Sequence, residues 1–134
     1  MKTYRQIIKI IIDDQVINSL NHSIILKNEP ENITKIFNDP VKFGNFLFAE
    51  MLFGCEFRSN RKGEIAKIIF YNWSERTSKS YKPSDIIDAK ITIEYKPYKM
   101  TLKELSEYPD STLAIQYIKQ EYNKTVDEII MEIN

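Results

Sequence analysis

Residues 39–54 read DPVKFGNFLFAEMLFG, and the fold turns on how this stretch is read. Asp39 can cap a helix, and Pro40 suits the first helical position, where no N–H is needed. Gly54 suits the stop, because helices often end in a left-handed residue that glycine tolerates. Between these marks Val41, Phe43, Phe46, Leu47, Phe48, Met51, Leu52 and Phe53 point in nearly every direction, while Lys42, Asn45 and Glu50 share one narrow stripe. A helix that is apolar nearly all round is buried on most sides. The run is too short and too interrupted for a bilayer, which takes roughly 20 apolar residues. It predicts a core helix over 40–53 on which a sheet and other helices pack.

Downstream of Gly54 the pattern changes. Residues 55–58 and 65–73 read as strands, joined by the hairpin loop Ser59-Asn60-Arg61-Lys62-Gly63, where Gly63 can take a positive φ. Residues 74–84, SERTSKSYKPS, form the longest polar connection. Then Ile87, Ala89, Ile91, Ile93 and Tyr95 alternate with Asp88, Lys90, Thr92, Glu94 and Lys96, the mark of a half-buried antiparallel strand over 86–96 that Pro97 ends. Together these predict one three-stranded antiparallel sheet.

Upstream, residues 4–20 fit two periods. Tyr4, Ile7, Ile8, Ile11, Ile12, Val16 and Leu20 keep helical spacing, and Ile8, Ile10 and Ile12 also alternate. The run exceeds ordinary strand length, which favours a helix. Ser23–Leu26 reads as a short strand, 28–31 as a turn, and Asn32 as the cap of a helical turn over Ile33, Ile36 and Phe37. At the other end, Thr101 with Glu104 and Thr125 with Glu128 have capping-box spacing. Pro109 interrupts the first of these helices, Asp110 or Ser111 caps the next, and 111–133 reads as one helix or two. The fold class is α+β, with N- and C-terminal helices covering the sheet.

The chain has 134 residues, which predicts a single globular domain over 1–134 able to bury its own core. Its lone Cys55 cannot form an internal disulfide, and the N-terminal run is broken by Lys9, Asp13 and Asp14, unlike a signal peptide. Both point to the cytoplasm. The four glycosylation acceptor triplets, at Asn21, Asn32, Asn72 and Asn123, are what chance gives in an asparagine-rich chain. Heavy use of isoleucine, lysine and asparagine is what an AT-rich genome produces. Net charge is zero, so no global field draws the chain to nucleic acid. Yet residues 55–100 carry ten basic and six acidic side chains, and 101–134 carry three and seven. Such halves can attract each other, a partner or a second copy of the chain.

Chemistry for catalysis is sparse. His22 is the sole histidine, distant from Cys55, and the three glycines form no phosphate-cradling loop. No cofactor and no metal site is implied. Pro83-Ser84-Asp85 followed by Glu94-Tyr95-Lys96 resembles the Asp…Glu-x-Lys core of the PD-(D/E)XK nuclease superfamily, with Glu50 on the helix before it. That resemblance implies a divalent cation held by two carboxylates and a lysine that helps activate water. It departs from the pattern in one place. The family's aspartate sits on a neighbouring strand, and residues 65–73 hold none.

A second reading is nucleic-acid binding, with Tyr71, Trp73 and Tyr81 interleaved among Arg76, Lys79 and Lys82 in and around the 74–84 loop. Residues 101–118 also look like a helix-turn-helix opening, but the would-be recognition helix lacks arginine and its surroundings are acidic. The third reading, which the composition favours, is a small non-enzymatic protein-binding module. It would be an inhibitor of the immunity-protein or phage anti-defence type that occludes another protein. Such a chain needs only a shaped surface with aromatic and arginine anchors. Arg61, Trp73, Arg76, Lys79, Tyr81 and Lys82 are the partner-binding candidates, although Trp73 reads equally well as core.

Overall fold

Two periods competed in the N-terminal segment, and the alternation prevails. In a computed structural model of the chain, which describes residues 1–50, 54–86, 88–108 and 112–134, Lys2–Ile12 is strand β1 and Gln15–Leu26 is strand β2. Ile8, Ile10 and Ile12 point inward, as a strand requires, and β-branched isoleucine suits the pleat. The predicted helix over 4–20 is therefore overturned. The deciding residues are Asp13 and Asp14, both at positive φ (50° and 63°), which close a two-residue turn of the hairpin-favouring kind. Asp13 also donates its backbone N–H to the Asp88 carbonyl and accepts the Asp88 N–H on its carboxylate, each at 2.8–2.9 Å.

Ile33–Phe37 is strand β3, not the helical turn that Asn32 was expected to cap. Pro40–Glu50 is helix α1, with the Asp39 carboxylate accepting the Val41 N–H at 2.9 Å, so the cap and the Pro start stand as read. Residues 51–53 of the expected core helix lie outside the described residues. Burial on most sides does not hold. Phe43, Gly44 and Leu47 are buried, whereas Val41 and Phe48 are more than half exposed. One face, not the whole surface, meets the core.

Cys55–Ser59, Ile65–Asn72 and Thr77–Tyr81 are strands β4, β5 and β6 of a three-stranded antiparallel sheet in the order β4-β5-β6. The predicted third member of that sheet, residues 86–96, is instead strand β7, Ala89–Pro97, in a four-stranded sheet ordered β2-β1-β7-β3. Ile87, expected to begin its inward row, lies outside the described residues. The polar 74–84 connection is not a loop. Residues 73–76 turn tightly, with Arg76 at φ 55° and the Asn72 side chain accepting the Glu75 N–H, and β6 follows at once. A polar strand with little to bury carries no apolar alternation to announce it.

The C-terminal third is helical among its described residues: α2 (Leu102–Glu107), α3 (Thr112–Tyr122) and α4 (Val126–Ile133). The Thr101/Glu104 capping box forms, and Thr125 Oγ1 accepts the Glu128 N–H at 3.2 Å. Asn123, at φ 50°, separates α3 from α4, so the described part of 111–133 is two helices. Pro109, Asp110 and Ser111, expected to interrupt one helix and cap the next, lie outside the described residues. None of the helices so described is long and apolar enough to cross a membrane.

The chain divides into two compact units. The first comprises residues 1–6, 21–31 and 94–134, with a core of Ile25, Met100, Leu105, Ala114, Tyr117, Ile118 and Ile129. The second comprises 7–20 and 32–93. Its core joins Ile8, Ile10 and Ile12 to Phe43, Leu47, Ile68, Phe70, Ile86, Ala89 and Ile91. Gly44 lets α1 approach β5 closely: a Cβ there would stand 3.3 Å from Ile68 Cδ1.

Candidate binding surface

The β4-β5-β6 sheet has two unlike faces, which its register defines. Residues paired directly across antiparallel strands share a face. Cys55 pairs with Phe70 and Phe57 with Ile68, while Ile68 pairs with Tyr81 and Phe70 with Lys79. This face supplies Ile68 and Phe70 to the second unit's core, with Tyr81 edge-on to Phe70 at 5.9 Å. The other face carries Glu56, Arg58, Lys67, Ile69, Tyr71, Ser78 and Ser80.

On that second face Tyr71 donates its hydroxyl to Glu56, and Arg58 donates to the same carboxylate at 3.4 Å. These donors hold the Glu56 carboxyl below the usual range, the Tyr71 bond being the larger cause. The same bond pushes the Tyr71 phenol above its ordinary value. With its tip thus tied, the Tyr71 ring offers a flat support, and Trp73 stacks on it at 5.1 Å and 14°. Trp73 is nonetheless 68% exposed. It is surface and not core.

Beside the stack lies a cleft of about 330 Å³, walled by residues 16–20 of β2, Gly54, and residues 71–74. Gly54, at φ 86°, accepts the Tyr71 N–H on its carbonyl at 2.9 Å. A side chain at Gly54 would stand 3.0 Å from Asn18 Nδ2. That nitrogen is buried without a hydrogen bond of normal geometry, and it addresses the Cys55 thiol. Burial pushes Cys55 up to about 11, against the smaller opposing pull of Asn18. The thiol is therefore protonated at neutral pH and a poor nucleophile.

The sequence-predicted candidates do not converge. Trp73 and Arg76 stand in the turn at the C-terminal end of β5, whereas Arg61 lies in the β4–β5 hairpin at the other end and Lys82 just after β6, whose last pair is Tyr81 with Ile68. At about 3.3 Å per residue this puts roughly 23 Å between the turn and the hairpin, and roughly 17 Å between the turn and Lys82. Lys79 and Tyr81 face the core side of β6, with the Lys79 ammonium 5.7 Å from the Tyr81 ring centroid. The contacts that sequence reading missed are those by which Glu56 holds Tyr71 and Tyr71 holds Trp73 in place. Only the cross-strand register reveals them.

A second polar cluster lies in the first unit. Glu104 accepts from Tyr98 at 2.6 Å and from Ser23 at 3.0 Å, and Arg5 stands over the Tyr98 ring at 4.7 Å. These donors, Tyr98 first, hold Glu104 below the usual carboxylate range. Each member is satisfied by another, as a structural junction requires. His22 lines a separate cleft beside this cluster, with Arg5, Ser23 and Glu104. The nuclease-like residues fare differently. Glu94 and Lys96 pair with each other at 3.9 Å on β7, and the neighbouring strands β1 and β3 contain no carboxylate. Among the described residues no cluster of three or more Asp, Glu, His or Cys side chains is placed to hold a metal ion.

No protein-family model, no curated protein and no solved structure matches this chain.

Proposed function

We propose that this chain is a protein-binding module that acts by occluding its partner, with Trp73 as the central anchor. One observation carries the reading. Trp73 is 68% exposed and yet fixed, stacked on a tyrosine whose own hydroxyl is bonded to Glu56. Interface energy concentrates in aromatic anchors, and an anchor already held in one orientation loses little entropy on binding. Val16, 56% exposed, and the adjoining cleft add apolar area beside it. The half-buried free thiol of Cys55 suits a cytoplasmic setting. Inhibition by occlusion asks for no further chemistry.

The test is affinity capture from cell lysate with nuclease treatment, run in parallel with Trp73→Ala. The expected result is one stoichiometric protein retained by the parent chain and lost with Trp73→Ala. The variant should keep its circular-dichroism spectrum, because the indole adds little to the core. A captured species that disappears on nuclease treatment, or that binds Trp73→Ala equally well, overturns the reading.

A further inference from the structure

The strand that sequence reading took for a loop is also the bare margin of its sheet. β6 pairs with β5 along one side, in unbroken register from Ile68↔Tyr81 to Asn72↔Thr77. Among the described residues, no backbone or side-chain group outside β5 hydrogen-bonds residues 77–81. Residues 77–80 are exposed. Natural sheets blunt such margins with short strands, charged side chains (lysine above all), proline, bulges or covering elements. The opposite margin, β4, does carry an irregularity between Arg58 and Ser59, and β6 has neither bulge, proline nor glycine. What it has is one lysine at its centre, with Arg76 just before it and Lys82 just after.

We propose that β6 accepts an extended, acidic segment of the partner protein as a fourth strand of this sheet. The inference rests on the binding function proposed above and names the chemistry of the partner. Strand addition satisfies the outward N–H and C=O groups of β6, and charge sets which strands are welcome. Residues 55–82 carry seven basic and three acidic side chains, so the whole sheet attracts acidic chain. A second copy of the chain is the wrong occupant. Antiparallel self-pairing centred on the strand places Lys79 opposite Lys79, and like charges directly across a pair are destabilising. The acidic C-terminal third is helical in its described residues and has no free strand to offer.

The probe is a short synthetic peptide of alternating glutamate and valine, added at low salt to the full chain. Binding is followed by the backbone amide signals of the protein and their hydrogen exchange. The expected result is saturable binding in which alternate amides within 77–81 exchange more slowly. Lys79→Glu, an exposed change that leaves the circular-dichroism spectrum intact, should weaken binding about tenfold, and added salt should weaken the parent complex. Three results overturn the proposal. One is equal binding by the same peptide carrying N-methyl groups on alternate residues, which cannot form a ladder. Another is the absence of slowed amides in 77–81. The third is the same protection appearing without peptide as protein concentration rises, which makes a second copy the occupant. If the peptide fails while capture still depends on Trp73, the strand proposal alone falls. If the peptide binds as expected and capture ignores Trp73, the first reading alone falls.

Discussion

The Tyr71 hydroxyl hydrogen-bonds the Glu56 carboxylate diagonally across the β4–β5 pair, and the same tyrosine ring supports Trp73 on its flat side. One side chain thus joins a titratable group to the exposed indole. A carboxylate bond reports itself at the exposed indole.

This pairing predicts a plateau in Trp73 fluorescence across neutral pH with a change at each end. Glu56 is depressed in the folded chain, so its contribution is present above its ordinary value and is lost as pH falls through the lower, folded one. Tyr71 is raised, so its contribution is present below its ordinary value and is lost as pH rises through the higher, folded one. The acid change therefore lies below the ordinary glutamate value of 4.5 and the alkaline change above the ordinary tyrosine value of 10.0. Tyr71→Phe should abolish the coupling at both ends while leaving the stack. An unchanged pH profile in Tyr71→Phe would show that the bond does not govern the indole.

Helix α1 yields a contrast between two of its own side chains. Leu47 is fully buried in the second unit's core, while Val41 is 58% exposed. Leu47→Ala should cost about 2–5 kcal/mol, the range for a buried leucine that leaves a cavity. Val41→Ala should fall within about 0.5 kcal/mol of the parent. Urea unfolding measures both. Equal midpoints for the two variants would place the buried face of the helix elsewhere.

The β1–β2 turn yields the third prediction. Asp13 and Asp14 both adopt positive φ, and a turn of this kind prefers Asp-Gly. Asp14→Gly should raise stability by about 0.5 kcal/mol, because glycine meets no steric cost there. Asp14→Val should lower it by about 1–2 kcal/mol through left-handed strain on a branched side chain. Thermal unfolding of the two variants should shift in opposite directions. If both lower the midpoint, the Asp14 side chain matters more than its backbone angle.

Legibility in the sequence followed the kind of signal each element carries. Asp39, Pro40 and Thr101/Glu104 mark helix starts by local hydrogen bonding, and those starts appear where the residues place them. Gly63 likewise closes the β4–β5 hairpin at φ 80°. Residues 4–20 were misread because isoleucine at 7, 8, 11 and 12 satisfies the helical period as well as isoleucine at 8, 10 and 12 satisfies the strand period. The arbiter was a conformational property of two aspartates. β6 was invisible because strand patterning records burial, and Thr77–Ser80 bury nothing. The strand 86–96 was placed in the wrong sheet because alternation fixes which residues face inward and is silent on which strand lies alongside. The exposed tryptophan was visible as a candidate. What holds it, a bond between residues 56 and 71, needed the register.

The strand order also bears on how the chain assembles. β4, β5 and β6 are consecutive in sequence and joined by tight turns, so their pairing closes short loops and can form as soon as residues 55–81 exist. β1 is different. Its partner on one side is its own hairpin mate, but on the other it is β7, where Tyr98 donates to the Thr3 carbonyl across a separation of 95 residues. During synthesis the isoleucine-rich first hairpin therefore waits with one edge bare until nearly three-quarters of the chain has emerged. A product ending before Ala89 would keep that edge, an isoleucine-rich template for pairing with other chains.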